Sequence, residues 1–542
     1  MSEDSPKMYL KEEVYFEPLF NQWYAWPYLI PPVTAARFMV KSHKRVMSSF
    51  VKNYKLHILA VNQPGMEGSD FLDCREDQVA DIQALVADID EKHADYVALC
   101  DAVTELDEML RNHTSGESIE GFYSRVPEPL RGYVELTMDM EHRPSFRIME
   151  SLVYQSKLYR PDLQSVSFGT LSKVAERPFS LSTPRLPDEN HIQLPLNFNA
   201  PELAEILRAR DVPLSVERIN DIFGSLEARG GLSHMELFTE QAPSHHHVPV
   251  TDGVRLQYTG HAGLMMETAD VCVMVDPIVP SRNHLNENDI IGFSQLPEKI
   301  DYVCITHNHQ DHLCLETLLQ LRHKIGKIVV PKNNGGTLPD PSMKLLLKQF
   351  GFDVMDVDDF EEIGLPGGRI VSIPFLGEHG DLNIRSKTAW FVDLGGKRVF
   401  MGADSSNLDP VMYQHIKDYI GRIDVLTIGM ECVGAPYTWI YGSLHTKLVT
   451  KKIKESRRLN GSDAEQAMGI TRIFDPKAVY LYALGLEPWY KYFMGIGYDE
   501  NSEQIIQTDK TIAACEKIGI PAQRLYGKHT IDLAFEQLEV AV

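Results

Sequence analysis

The most constraining stretch of the chain is Thr306-His307-Asn308-His309-Gln310-Asp311-His312, an HxHxDH motif directly behind the apolar run Tyr302-Val303-Cys304-Ile305. In an extended chain residues i and i+2 project to one face. His307 and His309 can therefore meet one metal ion where the strand ends. Asp311 and His312 can turn to a second ion as the loop bends into a helix. Three imidazoles and a carboxylate within six residues are costly to bury without a cation.

Six residues cannot complete two coordination spheres, so more ligands are expected from later strand ends. Arg398-Val-Phe-Met-Gly-Ala-Asp404 is a strand running into an acid, and Asp404 there could bridge two metals. Tyr441-Gly-Ser-Leu-His445 offers a final imidazole after the next strand and loop.

The surroundings are strand-rich after Val250. Strands are expected at 254–258, 271–275, 302–306, 327–330, 370–375, 390–394, 398–401 and 425–428, with helices at 315–324 and 341–350. Gly395-Gly396 signals a hairpin. Strands interleaved with helices point to α/β layers. The tail reads as a strand at 478–482, a helix at 502–517 and a short end. Its Trp489, Tyr490, Tyr492 and Phe493 are core residues or the wall of an aryl pocket.

The chain has 542 residues, which suggests two domains. Residues 1–245 are expected to form a mixed, mainly helical domain, and residues 246–542 the metal-binding one. Val14 to Phe38 is dense in aromatics and prolines and reads as a packed arm or an interface. One helix is expected over 77–112, and shorter ones over 203–210 and 216–229. The segment Ala242 to Val250 reads as a linker. Its adjacent His245, His246 and His247 point in different directions and are a poor metal site.

The net charge of −23 argues against duplex nucleic acid or an anionic membrane as partner, since phosphate contacts need clustered cations. No run approaches the roughly 18 apolar residues of a membrane span. The N-terminus lacks the basic and apolar pattern of a secretory signal. Seven scattered cysteines without a CxxC pair fit a reducing compartment, so a cytoplasmic protein is expected.

HxHxDH after a strand, an Asp after a later strand and a distal His resemble the metallo-β-lactamase superfamily. Gly260-His261-Ala262-Gly263 and Val275-Asp276-Pro277 are similar to that fold's opening strands. The resemblance covers roughly 250–450. It implies an αββα sandwich with a two-metal site at the strand ends. Hydrolases of the superfamily place another His between the positions of Asp311 and Asp404. Here that stretch is Phe375-Leu376-Gly377-Glu378-His379-Gly380-Asp381-Leu382. Neighbours at a strand end face opposite ways, so either Glu378 or His379 is expected to ligate. With His379 the site is that of a dizinc hydrolase of an ester, lactone or phosphodiester. With Glu378 the more anionic ligation better supports iron.

The GEHxDL context and the long N-terminal domain resemble a narrower family, the diiron β-hydroxylases of nonribosomal peptide pathways. The resemblance implies O2-dependent hydroxylation at the β-carbon of an amino acid held as a thioester on a carrier protein. Two oxo- or hydroxo-bridged iron ions would be the cofactor, with O2 as co-substrate and an external electron donor. His307, His309 and Glu378 would bind one iron. Asp311, His312 and His445 would bind the other, and Asp404 would bridge. Glu431 is a further acid, either near the ligands or bridging. No Gly-rich dinucleotide loop is evident, so a separate reductase is implied, and the family suggests a homodimer.

One basic segment stands out in this acidic chain. Lys447, Lys451, Lys452, Lys454, Arg457 and Arg458 oppose a single acid, Glu455, soon after His445. Such a run is ordinarily a solvated helix face. On the resemblance it could instead receive the phosphopantetheine phosphate or acidic helix of a carrier domain.

Overall fold

The strand-rich part of the chain forms two seven-stranded sheets packed face to face in the computed structural model, which describes residues 6–533 except 64, 65, 67–69, 175, 284, 285, 287 and 496. The first sheet has the spatial order Val354–Val357, Ile325–Pro331, Ile300–Cys304, Cys272–Val275, Gly263–Glu267, Arg255–Gly260 and His529–Ile531. The second has the order Glu362–Leu365, Gly368–Ile373, Ala389–Leu394, Lys397–Met401, Val425–Gly429, Ala478–Tyr482 and Ala522–Arg524. Leu256, Val273, Cys304, Val329, Val392, Val399 and Val425 fill the space between them. β-branched residues dominate because the inner strands are covered on both faces.

Helices Pro410–Ile420, Ala464–Phe474 and Glu503–Lys517 cover the second sheet through Tyr413, Ile416, Ile470 and Cys515. Leu315–Leu321 and Met343–Lys348 cover the first. This is the expected αββα sandwich. The tail contributes more than the expected strand, helix and short end. Its last two strands form one edge of each sheet.

The N-terminal part is mixed, with its longest helices at Arg45–Val61, Val79–Lys92 and Ala94–Arg111. The single helix expected over 77–112 breaks at His93, whose φ −122 and ψ 32 leave the helical region. The apolar period runs on across the break, which is why the pattern does not reveal it. The aromatic segment read as an arm contains a strand, Val14–Phe20, buried along its whole length. It lies inside a four-stranded antiparallel sheet, paired with Gln164–Thr170 on one side and Trp23–Tyr24 on the other.

The N-terminal part packs directly on the sandwich. One apolar cluster runs from Trp26, Phe38 and Leu99 into Leu318 and Leu347. Helix Leu315–Leu321 is therefore buried on every face, and its polar residues need partners. Glu316 faces Arg177 at 3.1 Å, and Gln320 accepts from Arg210 at 2.7 Å. Behind them Arg185 pairs with Glu17 at 2.7 Å in a fully enclosed setting. His247 is a structural residue of the connecting segment. Its Nε2 meets Glu267 at 2.8 Å and its Nδ1 faces the carbonyl of Gln295 at 3.1 Å.

Candidate metal centre

Parallel pairing of Ile300–Cys304 with Cys272–Val275 brings two strand ends together, which sets Asp276 beside Thr306. Asp276 accepts the Thr306 backbone N–H at 2.8 Å and its hydroxyl at 2.5 Å, and faces His312 Nδ1 at 2.7 Å. A carboxylate at Nδ1 holds the ring proton there and turns the Nε2 lone pair outward. Thr306, whose hydroxyl donates to Asp276, leaves its oxygen to accept from His307 Nδ1 at 3.0 Å. His307 Nε2 is thereby free, fully buried and without a hydrogen-bond partner. Burial, reinforced by His312 and His309, holds this imidazole well below its usual pKa, the neutral state a metal ligand requires.

Glu378 arrives on a tight loop. It adopts a left-handed φ of 69° between Gly377 at 91° and Gly380 at 56°. A Cβ at Gly377 would lie 2.7 Å from Ser406 Cβ, so only glycine fits there. Glu378 Oε1 stands 2.9 Å from His309 Nδ1, and Oε2 has no hydrogen bond. His379 Nδ1 lies 3.3 Å from the other nitrogen of His309, Nε2, and 3.0 Å from the Tyr441 hydroxyl, which is itself 2.7 Å from His309 Nε2. The left-handed residue breaks strict alternation, so both side chains are buried against His309. Of the two, Glu378 shares a cluster of ligand atoms with His307 and His309.

Asp404 follows Lys397–Met401 through Ala403, another left-handed residue with φ 48°. Its Oδ2 lies 2.9 Å from His312 Nε2 and 3.8 Å from His307 Nε2, and Oδ1 has no hydrogen bond. The carboxylate thus faces both imidazoles. Gly429 makes room for it, since a Cβ there would be 2.4 Å from Asp404 Oδ1.

Asp311 Oδ2 is 3.7 Å from His312 Nε2 and 3.1 Å from His261 Nε2. The His261 nitrogen lies within ligand range of that pair. Its chemistry argues for a different role. His261 Nδ1 accepts the backbone N–H of Gly485 at 3.1 Å. A neutral ring that accepts at Nδ1 carries its proton on Nε2, so His261 donates to Asp311 and aims that carboxylate. The sequence marks this position by a His between glycines at a strand end, and nothing there reveals its role.

Glu431 stands on the same cavity of about 90 Å³, lined also by His309, Asp311, Glu378, Asp404 and Tyr498. It accepts from the Tyr498 hydroxyl at 2.6 Å and from Gln504 at 2.9 Å. Burial, with Asp404 and Asp311 adding to it, pushes its carboxyl up to about 7 despite those hydrogen bonds. Tyr498 and Tyr441 are site residues that no sequence pattern indicated.

His445 does not join these residues. Its carbonyl accepts Arg37 Nη2 at 2.6 Å, and Arg37 Nε donates to the neighbouring Ser443 carbonyl at 3.1 Å. These contacts pin the chain after the turn Gly442–Leu444. The His445 ring packs edge-on against Tyr437 and lines a separate outer cleft. The distal His of the sequence reading is thus corrected. His261, from the first strand, takes the neighbourhood of Asp311 that His445 was expected to fill.

Four carboxylates, Asp311, Glu378, Asp404 and Glu431, line one cavity; Glu378 Oε2 and Asp404 Oδ1 are buried without partners, as is His307 Nε2, 3.8 Å from Asp404 Oδ2. Such a set is satisfied by cations. Its predominance of oxygen anions suits iron better than zinc.

Comparisons with known proteins identify the family. Residues 9–243 match the N-terminal domain model of diiron non-heme β-hydroxylases, and residues 255–455 match a β-lactamase superfamily domain. The chain is 35% identical over 534 residues, 97% of its length and 99% of the relative's, to a 4-amino-L-phenylalanyl-[CmlP-peptidyl-carrier-protein] 3-hydroxylase from Streptomyces venezuelae. The crystal structure of CmlA, a diiron β-hydroxylase from Streptomyces venezuelae, superposes with a TM-score of 0.90 at 33% identity, covering 98% of this chain and all of that one. A glutamate-to-aspartate variant of the CmlA β-hydroxylase superposes with a TM-score of 0.87 at 33% identity, over 97% of this chain and all of the other.

Proposed function

Because this chain belongs to the family of diiron non-heme β-hydroxylases, we propose that it hydroxylates the β-carbon of an amino acid held as a thioester on a peptidyl carrier protein. The enzyme is a diiron oxygenase with O2 as co-substrate. Its family membership sets aside the dizinc hydrolase reading.

The ligand assignment rests on the geometry of Glu378. His307, His309 and Glu378 would hold one iron and Asp311 and His312 the other, with Asp404, which faces both His307 and His312, available to each. Glu431 is the remaining carboxylate on the cavity and would offer a further oxygen donor there. Two irons held in this way supply O2 activation and oxidation of an unreactive C–H bond. The rest is the work of the chain itself. Asp276 and Thr306 fix the tautomers of His312 and His307. His261 aims Asp311, and Tyr498 and Gln504 hold Glu431. Phe179, Leu181, Trp439, Ile440 and Phe493 wall the cavity with apolar surface. That wall excludes water and suits an aryl side chain.

The electron donor is a separate reductase, which the dependence of turnover on an added reductase tests. The working form is a homodimer, which sedimentation at assay concentrations tests. A cytoplasmic setting is supported by seven unpaired cysteines, six of them buried. No helix among the described residues is long and apolar enough to cross a membrane.

The experiment for the ligand set is metal analysis with an optical spectrum on protein from iron-supplemented cells. Two irons per chain with oxo-bridged ferric absorption support it. Two zincs that persist after iron reconstitution contradict it.

A further inference from the structure

A second cavity, a cleft of about 760 Å³, opens beside the metal centre. The two share the lining residues Leu181 and Trp439, so these side chains mark where the cavities approach each other. The charge of the cleft is opposite to that of the chain. Arg37, Lys41, Arg45, Lys447, Lys454 and Arg458 line it, against the acids Asp70 and Glu455. Those acids are engaged. Asp70 pairs with Arg45 at 2.7 Å, and Glu455 faces Lys451 at 3.6 Å. Among the described residues Lys41, Lys447 and Lys454 have no carboxylate partner. In a molecule of net charge −23, uncompensated cations gathered in one concavity are a focus for an anion.

The floor of the cleft carries a second, independent sign. Arg37 is fully buried. Its guanidinium donates to the carbonyls of Ser443, His445 and Cys100 and to the Thr104 hydroxyl, all of them neutral. No carboxylate among the described residues reaches it. A buried cation satisfied in hydrogen bonds but not in charge is costly, and an anion bound above it offsets that cost. At the rim Leu448 is 88% exposed, an apolar contact point within a cationic ring. That combination matches the make-up of protein docking sites.

We propose that this cleft takes the phosphate of a carrier protein's phosphopantetheine arm, with the arm passing Leu181 and Trp439 to present its aminoacyl thioester to the metal cavity. This rests on the carrier-bound substrate proposed above. It also relocates the basic patch. Lys447, Lys454 and Arg458 line the cleft together with Arg37, Lys41 and Arg45 from the N-terminal part. Lys451 and Lys452 stand outside it. The N-terminal part thus supplies half of the cationic lining, which gives it a direct role in admitting substrate.

The test is calorimetric titration of the iron-loaded protein with 4′-phosphopantetheine and with pantetheine, which differ only in the phosphate. The wild type is expected to bind the phosphorylated compound at least tenfold more tightly, with the difference shrinking as salt rises. In K447E/K454E that preference is expected to vanish. K510E/K517E places the same charge change on helix Glu503–Lys517, away from the cleft, and is expected to keep the preference. Equal binding of the two compounds by the wild type would overturn the proposal, as would an unchanged preference in K447E/K454E. The milder K447Q/K454Q guards against misfolding, and is expected to lose most of the preference. Failure of the wild type to hydroxylate aminoacyl carriers would fall on the catalytic reading instead and leave the phosphate preference standing.

Discussion

The carboxylate of Glu378 stands 2.9 Å from Nδ1 of His309, while its second oxygen is buried without a hydrogen bond. This single relationship separates two chemistries. A carboxylate in that position would add an anionic oxygen donor to an ion held by His307 and His309, which suits redox-active iron. An imidazole there would leave a site suited to zinc-bound hydroxide.

Replacing Glu378 by Ala is expected to lower bound iron from two per chain to one or none and to abolish hydroxylation. His379→Ala is expected to keep both irons, because His379 meets the Nε2 edge of His309 and the Tyr441 hydroxyl. Metal analysis of the two variants decides between them. The reverse pattern would make His379 the ligand.

His261→Ala tests whether that ring aims a ligand or is one. A residue acting through Asp311 should cost about 10–100-fold in iron affinity, the range for partners behind metal ligands. Iron content at saturating iron should still reach two per chain. Permanent loss of one iron would show that His261 coordinates directly.

Arg185→Ala should be strongly destabilising. Glu17 is almost wholly enclosed and depends on Arg185 at 2.7 Å, with Arg177 more distant at 3.4 Å. Removing one partner of a buried pair costs about 3–5 kcal/mol. Denaturant unfolding measures it, and a loss below about 1 kcal/mol, the scale of an exposed pair, would show that the structure relaxes around Glu17.

Glu150 gives the contact between the N-terminal part and the sandwich a pH dependence. It accepts the Ser342 backbone N–H and the Asn333 side-chain amide, each at 2.8 Å, and burial pushes its carboxyl from 4.5 up to about 7. The folded-state value lies above the unfolded one. The stability this group contributes is therefore complete below pH 4.5 and is lost as pH rises through about 7. Glu150→Gln is expected to flatten that part of the stability profile. An unchanged slope would place the titration elsewhere.

Much of the centre is legible in the sequence because its residues sit at fixed offsets from strand ends. The strand Ile300–Cys304 fixes where His307 to His312 emerge, and Lys397–Met401 does the same for Asp404. Orientation is less legible than position. His445 has the right place in the order, but Arg37, some four hundred residues away in the chain, ties its backbone, and its ring packs on Tyr437 instead of joining the cavity. The tautomer of His261 depends on the backbone N–H of Gly485, a contact no local pattern encodes. The strand Val14–Phe20 reads as an arm because both of its faces are buried, which removes the alternation that marks a half-exposed strand. The cationic cleft is half visible as a basic run. Its other half comes from Arg37, Lys41 and Arg45 and requires the fold.

The most direct test of the central claim is a single turnover of reduced, iron-loaded protein with an aminoacyl carrier under isotopically labelled O2, followed by mass spectrometry of the intact carrier-bound product. The account predicts one labelled oxygen atom on the amino acid, with the thioester intact. A cleaved thioester carrying oxygen from water, with no label on the amino acid, would contradict it.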